Sequence, residues 1–197
     1  MTNITFGGLE YYLLGINVFG FLLYLLDLFL HRHTQKAGIG ILLYPAGAAG
    51  GSIGILLCML LFHRKPEKET MMLRVFTVCI CVTEVLLFLM YKGHRSEPLT
   101  LAFWEYFAER RYLLIYLAVI NFAAFAAYAV DKVHAAEHKS RIRIVTLLAL
   151  AFIGGSAGSL LAVYLLNHKT RKNYFTIGIP MMMIMQLTVL FFAMNMG

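Results

Sequence analysis

Charged residues are scarce in this chain of 197 residues: Asp, Glu, Lys and Arg make up 14% of it, whereas hydrophobic residues make up 60%. The mean hydropathy is +0.75. A soluble globular domain is about half apolar, so this composition excludes that class. Apolar runs of about 20 residues are long enough to cross a bilayer, and six of them lie near residues 11–30, 39–62, 71–91, 112–130, 143–166 and 175–195. The sequence therefore predicts an all-α membrane protein with six transmembrane helices, because a backbone in lipid must satisfy its own hydrogen bonds.

The patterns that would name a chemistry are also missing. Only three cysteines are present, Cys58, Cys79 and Cys81, and all lie inside apolar segments, which argues against a disulfide framework. The start of the chain has no basic region or cleavage pattern of a signal peptide. There is no Ser-His-Asp order, phosphate loop, dinucleotide motif or strong metal-ligand spacing. We therefore predict no catalytic residue, no metal and no nucleic-acid partner, and the cofactor stays unknown.

An internal repeat is the strongest pattern that the chain does have. When residues 11–93 are shifted by 104 positions, they fall on residues 115–197 without a gap, and about a quarter of the pairs are identical. The polar and glycine matches are Asn17 with Asn121, Tyr24 with Tyr128, Asp27 with Asp131, and Gly50, Gly51 and Gly54 with Gly154, Gly155 and Gly158. This predicts a three-helix repeat in residues 1–91, an interfacial linker in residues 92–111 and a second three-helix repeat in residues 112–197.

Three crossings in each repeat would insert the second repeat upside down, which predicts inverted repeats, an architecture that recurs in transporters. The linker segment LTLAFWEYFAER is too short to span and is rich in aromatic residues, as an interfacial helix would be. Six straight crossings would place eight Lys and Arg residues on one side and nine on the other. This balance gives no orientation for the termini.

The glycines in the middle segment of each repeat have two interpretations. Gly50, Gly51 and Gly54, like Gly154, Gly155 and Gly158, could let helices approach closely, because small residues drive helix packing in lipid. Alternatively, they could loosen the helix so that backbone groups face a solute. The packing role is the favoured interpretation.

A polar and aromatic stripe follows the first helix of each repeat. Asn17, Tyr24 and Asp27 share one side of the first helix. Their counterparts Asn121, Tyr128 and Asp131 do the same in the second repeat. Such groups could line a path for a solute or ion. They could equally bond neighbouring helices, with the aspartates capping loop amides or pairing with Lys132.

Two further features carry charge. Glu84 lies deep in the third segment, where a carboxylate is costly and marks a functional candidate, although its repeat partner is Thr188. The loop with His168, Lys169, Arg171 and Lys172 could clamp a phosphate or another anion. It could also contact lipid headgroups as an ordinary helix end.

The second repeat resembles a bacterial family of small three-helix membrane domains of unknown function, some fused behind a cold-shock domain. The resemblance covers residues 112–190 and rests on the segments NFAAFAAYAVDK and LLALAFIGGSAGSLLAVYLLNHKTRKNYFTIGIP. In the first repeat, Leu28 follows Asp27 where the family has Lys, and HRKPEKE replaces HKTRKNY. The resemblance implies the fold and a tandem duplication but no activity.

These observations predict a small transporter or channel for an ion or polar solute in the bacterial inner membrane. The alternatives are an enzyme or binding protein for an anionic lipid headgroup, and an accessory subunit without a site of its own. The net charge of +7 suits anionic lipids as partners. A homo-oligomer is a further expectation.

Overall fold

The computed structural model describes residues 7–33, 39–93 and 99–196, and every regular element in those ranges is helical. Six stretches of the described residues are long and apolar enough to cross a membrane, which indicates a multi-pass membrane protein. The α-helices of the described residues are α1 Gly8–His33, α2 Leu43–Ala46, α3 Ser52–Phe62, α4 Met71–Tyr91, α5 Phe103–Glu109, α6 Arg111–Ala136, α7 Ile144–Leu150, α8 Ser156–Leu165, α9 Asn173–Thr176 and α10 Gly178–Met194. The chain divides into two compact units, Met1–Glu84 and Val85–Gly197.

In the first unit, the middle apolar stretch Gly40–Phe62 folds back on itself. Its beginning lies beside Asp27, because a side chain on Gly40 would meet that carboxylate. Its turn lies beside the early part of α1, where the Tyr12 hydroxyl donates to Ala49 O at 2.7 Å. Its end returns to Tyr24, whose hydroxyl hydrogen-bonds His63 Nδ1 at 3.0 Å. We call Gly40–Phe62 the first hairpin.

The second unit repeats this path in the stretch Ile144–Leu165, which we call the second hairpin. The backbone N–H of Ile142, just before the hairpin, donates to Asp131 Oδ1 at 2.9 Å. The Lys132 ammonium donates to Leu166 O, just after it, at 2.7 Å. Between these points, the Tyr116 hydroxyl donates to Ile153 O at 2.5 Å, near the start of α6. The hairpin thus begins and ends at the same end of α6.

A glycine in a backbone conformation that other residues rarely adopt lies at the turn of each hairpin. A wide helical turn, Gly47–Gly51, joins α2 to α3, and Gly50 within it has a φ of 110°. The corresponding turn, Ala151–Gly155, joins α7 to α8, and Gly154 has a φ of 125°. Such positive φ angles cost little only for glycine. The doubled glycines therefore mark a reversal of the chain.

The prediction of helices in all six segments is confirmed, but the middle segment of each unit is a hairpin and does not cross in one line. Only the first and third segments of a unit run from one end to the other. The inverted-repeat prediction rested on three crossings in each repeat, and this premise is not met. The balanced count of basic residues rested on the same premise and changes with it.

The basic residues gather at one end of each unit once the hairpins are recognised. In the first unit, the described cations Arg64, Lys65, Lys68 and Arg74 follow the first hairpin and lie at the Asp27 end. In the second unit, Lys132, Lys139, Arg141, Arg143, Lys169, Arg171 and Lys172 lie at the Asp131 end. Arg110 and Arg111 lie at the opposite end of α6.

The predicted linker contains the short helix α5, in which Trp104 is exposed. The residues just before this helix are hydrogen-bonded to Asn195. Thr100 N donates to Asn195 Oδ1 at 2.6 Å, and Asn195 Nδ2 donates to Thr100 O at 3.0 Å. The helix is confirmed, and its position at the membrane interface stays a prediction.

Candidate functional site

One asparagine in each unit fastens the hairpin to the first helix. Asn17 Oδ1 accepts from Gly54 N at 2.8 Å, while its Nδ2 donates to Gly50 O at 2.8 Å and to Leu13 O within α1 at 2.8 Å. Asn121 makes the same bonds in the second unit, to Gly158 N at 2.7 Å, Gly154 O at 3.0 Å and Leu117 O at 2.8 Å. Both amide protons are used in each case. We call this arrangement the asparagine clamp.

The clamp needs glycine at its closest point. A side chain on Gly54 or Gly158 would overlap the backbone carbonyl of the clamping asparagine. A side chain on Gly155 would lie 2.7 Å from the Ala124 side chain and 3.1 Å from Ile120 O. The packing role predicted for the glycines therefore holds for these positions. The backbone of each hairpin is also loosened at this point. The asparagine side chain accepts a hydrogen bond from one backbone N–H of the hairpin and donates one to a backbone carbonyl.

A polar pair joins each hairpin to the third segment of its unit. The Ser52 hydroxyl donates to Glu84 Oε2, and the other oxygen of this carboxylate is buried without a partner among the described residues. In the second unit, the Ser156 hydroxyl donates to Gln186 Oε1 at 2.5 Å, and Gln186 Nε2 donates to Ala151 O at 2.7 Å and Phe152 O at 3.0 Å. The amide of Gln186 is thus fully engaged.

Gln186, and not the predicted Thr188, is the structural counterpart of Glu84. The Thr188 hydroxyl donates to Ile184 O within its own helix at 3.1 Å. The gap-free alignment of the repeats therefore loses register by two residues after the hairpins. The pairs Leu73 with Tyr24 in one core and Phe175 with Tyr128 in the other show the same offset. A gapped comparison of the two repeats could have found it.

Asp131, which belongs to the predicted polar stripe, contacts two residues of the predicted anion-binding loop, His168 and Lys169. Its side chain is fully buried, and its Oδ2 lies 2.6 Å from Lys169 Nζ and 2.8 Å from His168 Nε2. Its Oδ1 accepts from Ile142 N, which confirms the capping of a loop amide. The suggested pair with Lys132 is not formed, because that ammonium donates to the end of the second hairpin. We call Asp131, His168 and Lys169 the charge cluster.

The Lys169 ammonium also lies near an aromatic ring. Its Nζ is 5.0 Å from the centre of the Phe175 ring, which is within the range of a cation–π contact. Phe175 in turn packs edge-on against Tyr128, with ring centres 5.6 Å apart. The backbone of Lys169 has a φ of 62°, an uncommon value for a residue with a side chain.

The first unit has a cavity of about 280 Å³ where the second has the charge cluster. The side chains on its wall include Asp27, Glu67, Glu69, His31, His63 and Tyr44. Asp27 Oδ1 is buried and has no hydrogen-bond partner among the described residues. No lysine or arginine contributes to this wall in the part of the chain that the structure describes. We call this space the Asp27 cavity.

The other predicted site residues are the two exposed cations of the 168–172 loop and the two tyrosines of the stripes. Arg171 and Lys172 are exposed, whereas His168 and Lys169 contact Asp131. The four residues of the predicted anion clamp therefore do not all face the same partner. Tyr24 is buried and bonds His63, whereas the buried Tyr128 hydroxyl has no partner among the described residues. In those same ranges, no group of three or more His, Cys, Asp or Glu side chains could hold a metal ion.

The comparison with known proteins places the charge cluster and the second clamp inside one matched segment. The family model described as "Protein of unknown function (DUF1294)" matches residues 121–175. The chain is 32% identical over 71 residues to the uncharacterized protein YsdA of Bacillus subtilis (strain 168), a match that covers 36% of this chain and 80% of YsdA. The chain belongs to this family of unknown function. No solved structure matches it.

The matched segment begins at Asn121 and ends at Phe175. It therefore contains the asparagine clamp, the second hairpin and the charge cluster with its aromatic neighbour. The first unit, with Glu84 and the Asp27 cavity, lies outside the residues that the family model matches.

Proposed function

We propose that the protein is a membrane transporter that moves a small cation through its first unit. The observation that carries this proposal is the carboxylate of Glu84 beside the break in the first hairpin. The second unit shows that a glutamine amide in this position satisfies the serine and two backbone carbonyls of the hairpin. A carboxylate can accept but cannot donate to those carbonyls when it is ionised.

Glu84 places an ionisable group where the second unit has the neutral amide of Gln186. Ionisable groups inside a membrane are expensive and usually belong to ion or proton pathways. An unsatisfied buried polar group costs about 1–3 kcal/mol, and Glu84 keeps one oxygen without a partner among the described residues. A transported cation would offset this cost by binding the carboxylate.

The hairpins support the same function. A non-helical backbone at membrane depth is tolerated only where protein or a water-filled cavity surrounds it, and broken helices form the binding sites of many transporters. The hairpin of each unit has such a break, at Gly50 and at Gly154.

The test uses the purified protein in liposomes and measures currents after concentration jumps of Na⁺, K⁺, methylammonium or n-butylammonium chloride. We expect a current with at least one of these cations, and we expect Glu84→Gln to abolish it. The melting temperature of this variant should stay the same or rise, because the new amide can bond the hairpin as Gln186 does.

Thr83→Val is the matched control, since among the described residues the Thr83 hydroxyl bonds only Cys79 O in its own helix, at 2.9 Å. This variant should carry the full current. The absence of current with every cation, or an undiminished current in a folded Glu84→Gln variant, would overturn the proposal.

An anionic lipid headgroup at the 168–172 loop is the second candidate. Arg171 and Lys172 are exposed and available to a headgroup. His168 and Lys169 contact Asp131, so two of the four residues of the predicted anion clamp already have a carboxylate partner. We therefore propose anionic lipids as surrounding partners of this loop and not as a substrate. The bacterial relative supports the cytoplasmic membrane of a bacterium as the location.

A further inference from the structure

The second unit shows which ligand chemistry this fold places at the first helix. The Lys169 side chain brings an alkylammonium group to the buried carboxylate of Asp131, beside the ring of Phe175. The cation is part of the chain, so the site is closed by the protein itself. A buried carboxylate needs such a partner, because an unpaired buried charge is strongly destabilising.

The first unit keeps the carboxylate, and among the described residues no lysine or arginine side chain bonds to it. Lys65, which the gap-free alignment pairs with Lys169, is exposed, and its carbonyl oxygen accepts from the Arg74 guanidinium at 3.1 Å. Leu73 occupies the position of Phe175, so a smaller side chain packs against Tyr24. These two replacements coincide with the Asp27 cavity of about 280 Å³.

The charges on the wall of the Asp27 cavity favour a cation. Asp27, Glu67 and Glu69 contribute three carboxylates, and the wall includes neither lysine nor arginine among the described residues. The two histidines on the wall do not reverse this balance, and His63 Nε2 lies 3.5 Å from Glu67 Oε1. The cavity is larger than one bare ion requires, and it is slightly smaller than a typical pocket for a drug-sized ligand.

We infer that the Asp27 cavity binds a small alkylammonium compound, whose charged nitrogen takes the place at Asp27 that Lys169 Nζ takes at Asp131. This inference deepens the proposed function by naming the class of its cation, and it rests on that function only for the step of transport. Binding itself requires the cavity and the carboxylate alone. Asp27 would bind the ammonium, and Tyr44 would provide an aromatic contact for the alkyl chain.

The test measures n-butylammonium binding to the full chain in detergent by isothermal titration calorimetry. This probe reproduces a whole lysine side chain, and n-butanol is the neutral control of the same length. We expect one saturable site for n-butylammonium and none for n-butanol. Asp27→Asn should weaken binding roughly tenfold or more, because a charge-assisted hydrogen bond is lost, while Asp27→Glu should retain part of it.

A second experiment uses the internal cation of the second unit. Lys169→Ala should lower the melting temperature, and n-butylammonium should raise it again more than n-butanol does, because the added ammonium replaces the lost one. The titration of this variant should show a second site. If Lys169→Ala does not fold, the comparison of Asp27→Asn with Asp27→Glu still decides the inference.

Three outcomes would overturn the inference: no binding to the wild-type chain, equal binding by Asp27→Asn, or binding that is gained only in Lys65→Gln. The last would show that Lys65 itself supplies the cation. Binding without flux would leave the inference standing and refute transport. Flux that depends on Glu84 without binding that depends on Asp27 would do the opposite.

Discussion

At the residue scale, the two clamping asparagines show what a sequence pattern can and cannot tell. The matched positions Asn17 and Asn121 predicted that both residues have a common role. Their partners are backbone groups of the hairpins, and these come within reach only because Gly54 and Gly158 have no side chain. The stripe of Asn, Tyr and Asp suggested a path. The hydrogen bonds of the asparagines serve the hairpins, and a path along the stripe stays a prediction.

The same closeness predicts a large effect of one methyl group. Gly158→Ala should destabilise the protein by about 1–3 kcal/mol, the usual cost of overpacking, because the new side chain would overlap the Asn121 carbonyl. The measurement is the shift of the unfolding midpoint in detergent.

Gly15→Ala is the control for this change, since a side chain on Gly15 meets no atom within 4 Å among the described residues. It should leave the midpoint unchanged or raise it slightly, in keeping with the higher helix propensity of alanine. Equal midpoints for Gly158→Ala and the wild type would refute the close approach of the hairpin.

At the scale of the elements, hydropathy could not distinguish a hairpin from a crossing. Residues 39–62 and 143–166 are as apolar and as long as a transmembrane helix, so composition alone predicts one. The glycine pairs were the signal of a break, but close helix packing was the favoured explanation of them. The reversal depends on contacts at both ends, such as those of Asp131 with Ile142 and with His168, which no periodicity encodes.

The hairpin predicts that its two ends are accessible from the same side of the membrane. Ile41→Cys and Lys65→Cys flank the first hairpin, and both native side chains are exposed. A membrane-impermeant maleimide should label both from one side, and Lys92→Cys, beyond the far end of α4, from the other. The wild type is the control for Cys58, Cys79 and Cys81, which lie inside apolar helices. Labelling of Ile41→Cys and Lys65→Cys from opposite sides would restore a straight crossing.

At the scale of the whole molecule, the repeat predicted the common architecture of the units but not the difference between them. The departures at Leu28 and in HRKPEKE indicated that the first unit differs from the family. Their consequence, a cavity in place of an ion pair, depends on three changes acting together at Lys65, Leu73 and the glutamates of the 63–70 loop. Each change is unremarkable in sequence. Only their convergence on Asp27 gives the first unit a candidate site.

The charge distribution predicts the orientation of each unit, since Lys and Arg gather on the cytoplasmic side of membrane proteins. The Asp27 end of the first unit and the Asp131 end of the second hold most of the described basic residues of their units. We therefore expect Lys65→Cys and Lys139→Cys to resist an impermeant maleimide in spheroplasts and to react after permeabilisation. Arg110→Cys, at the opposite end of α6, should react in intact spheroplasts. Labelling of either variant in intact spheroplasts would contradict the orientation of its own unit, and labelling of Lys65→Cys would also place the Asp27 cavity on the outer surface, where it would meet external ammonium compounds first.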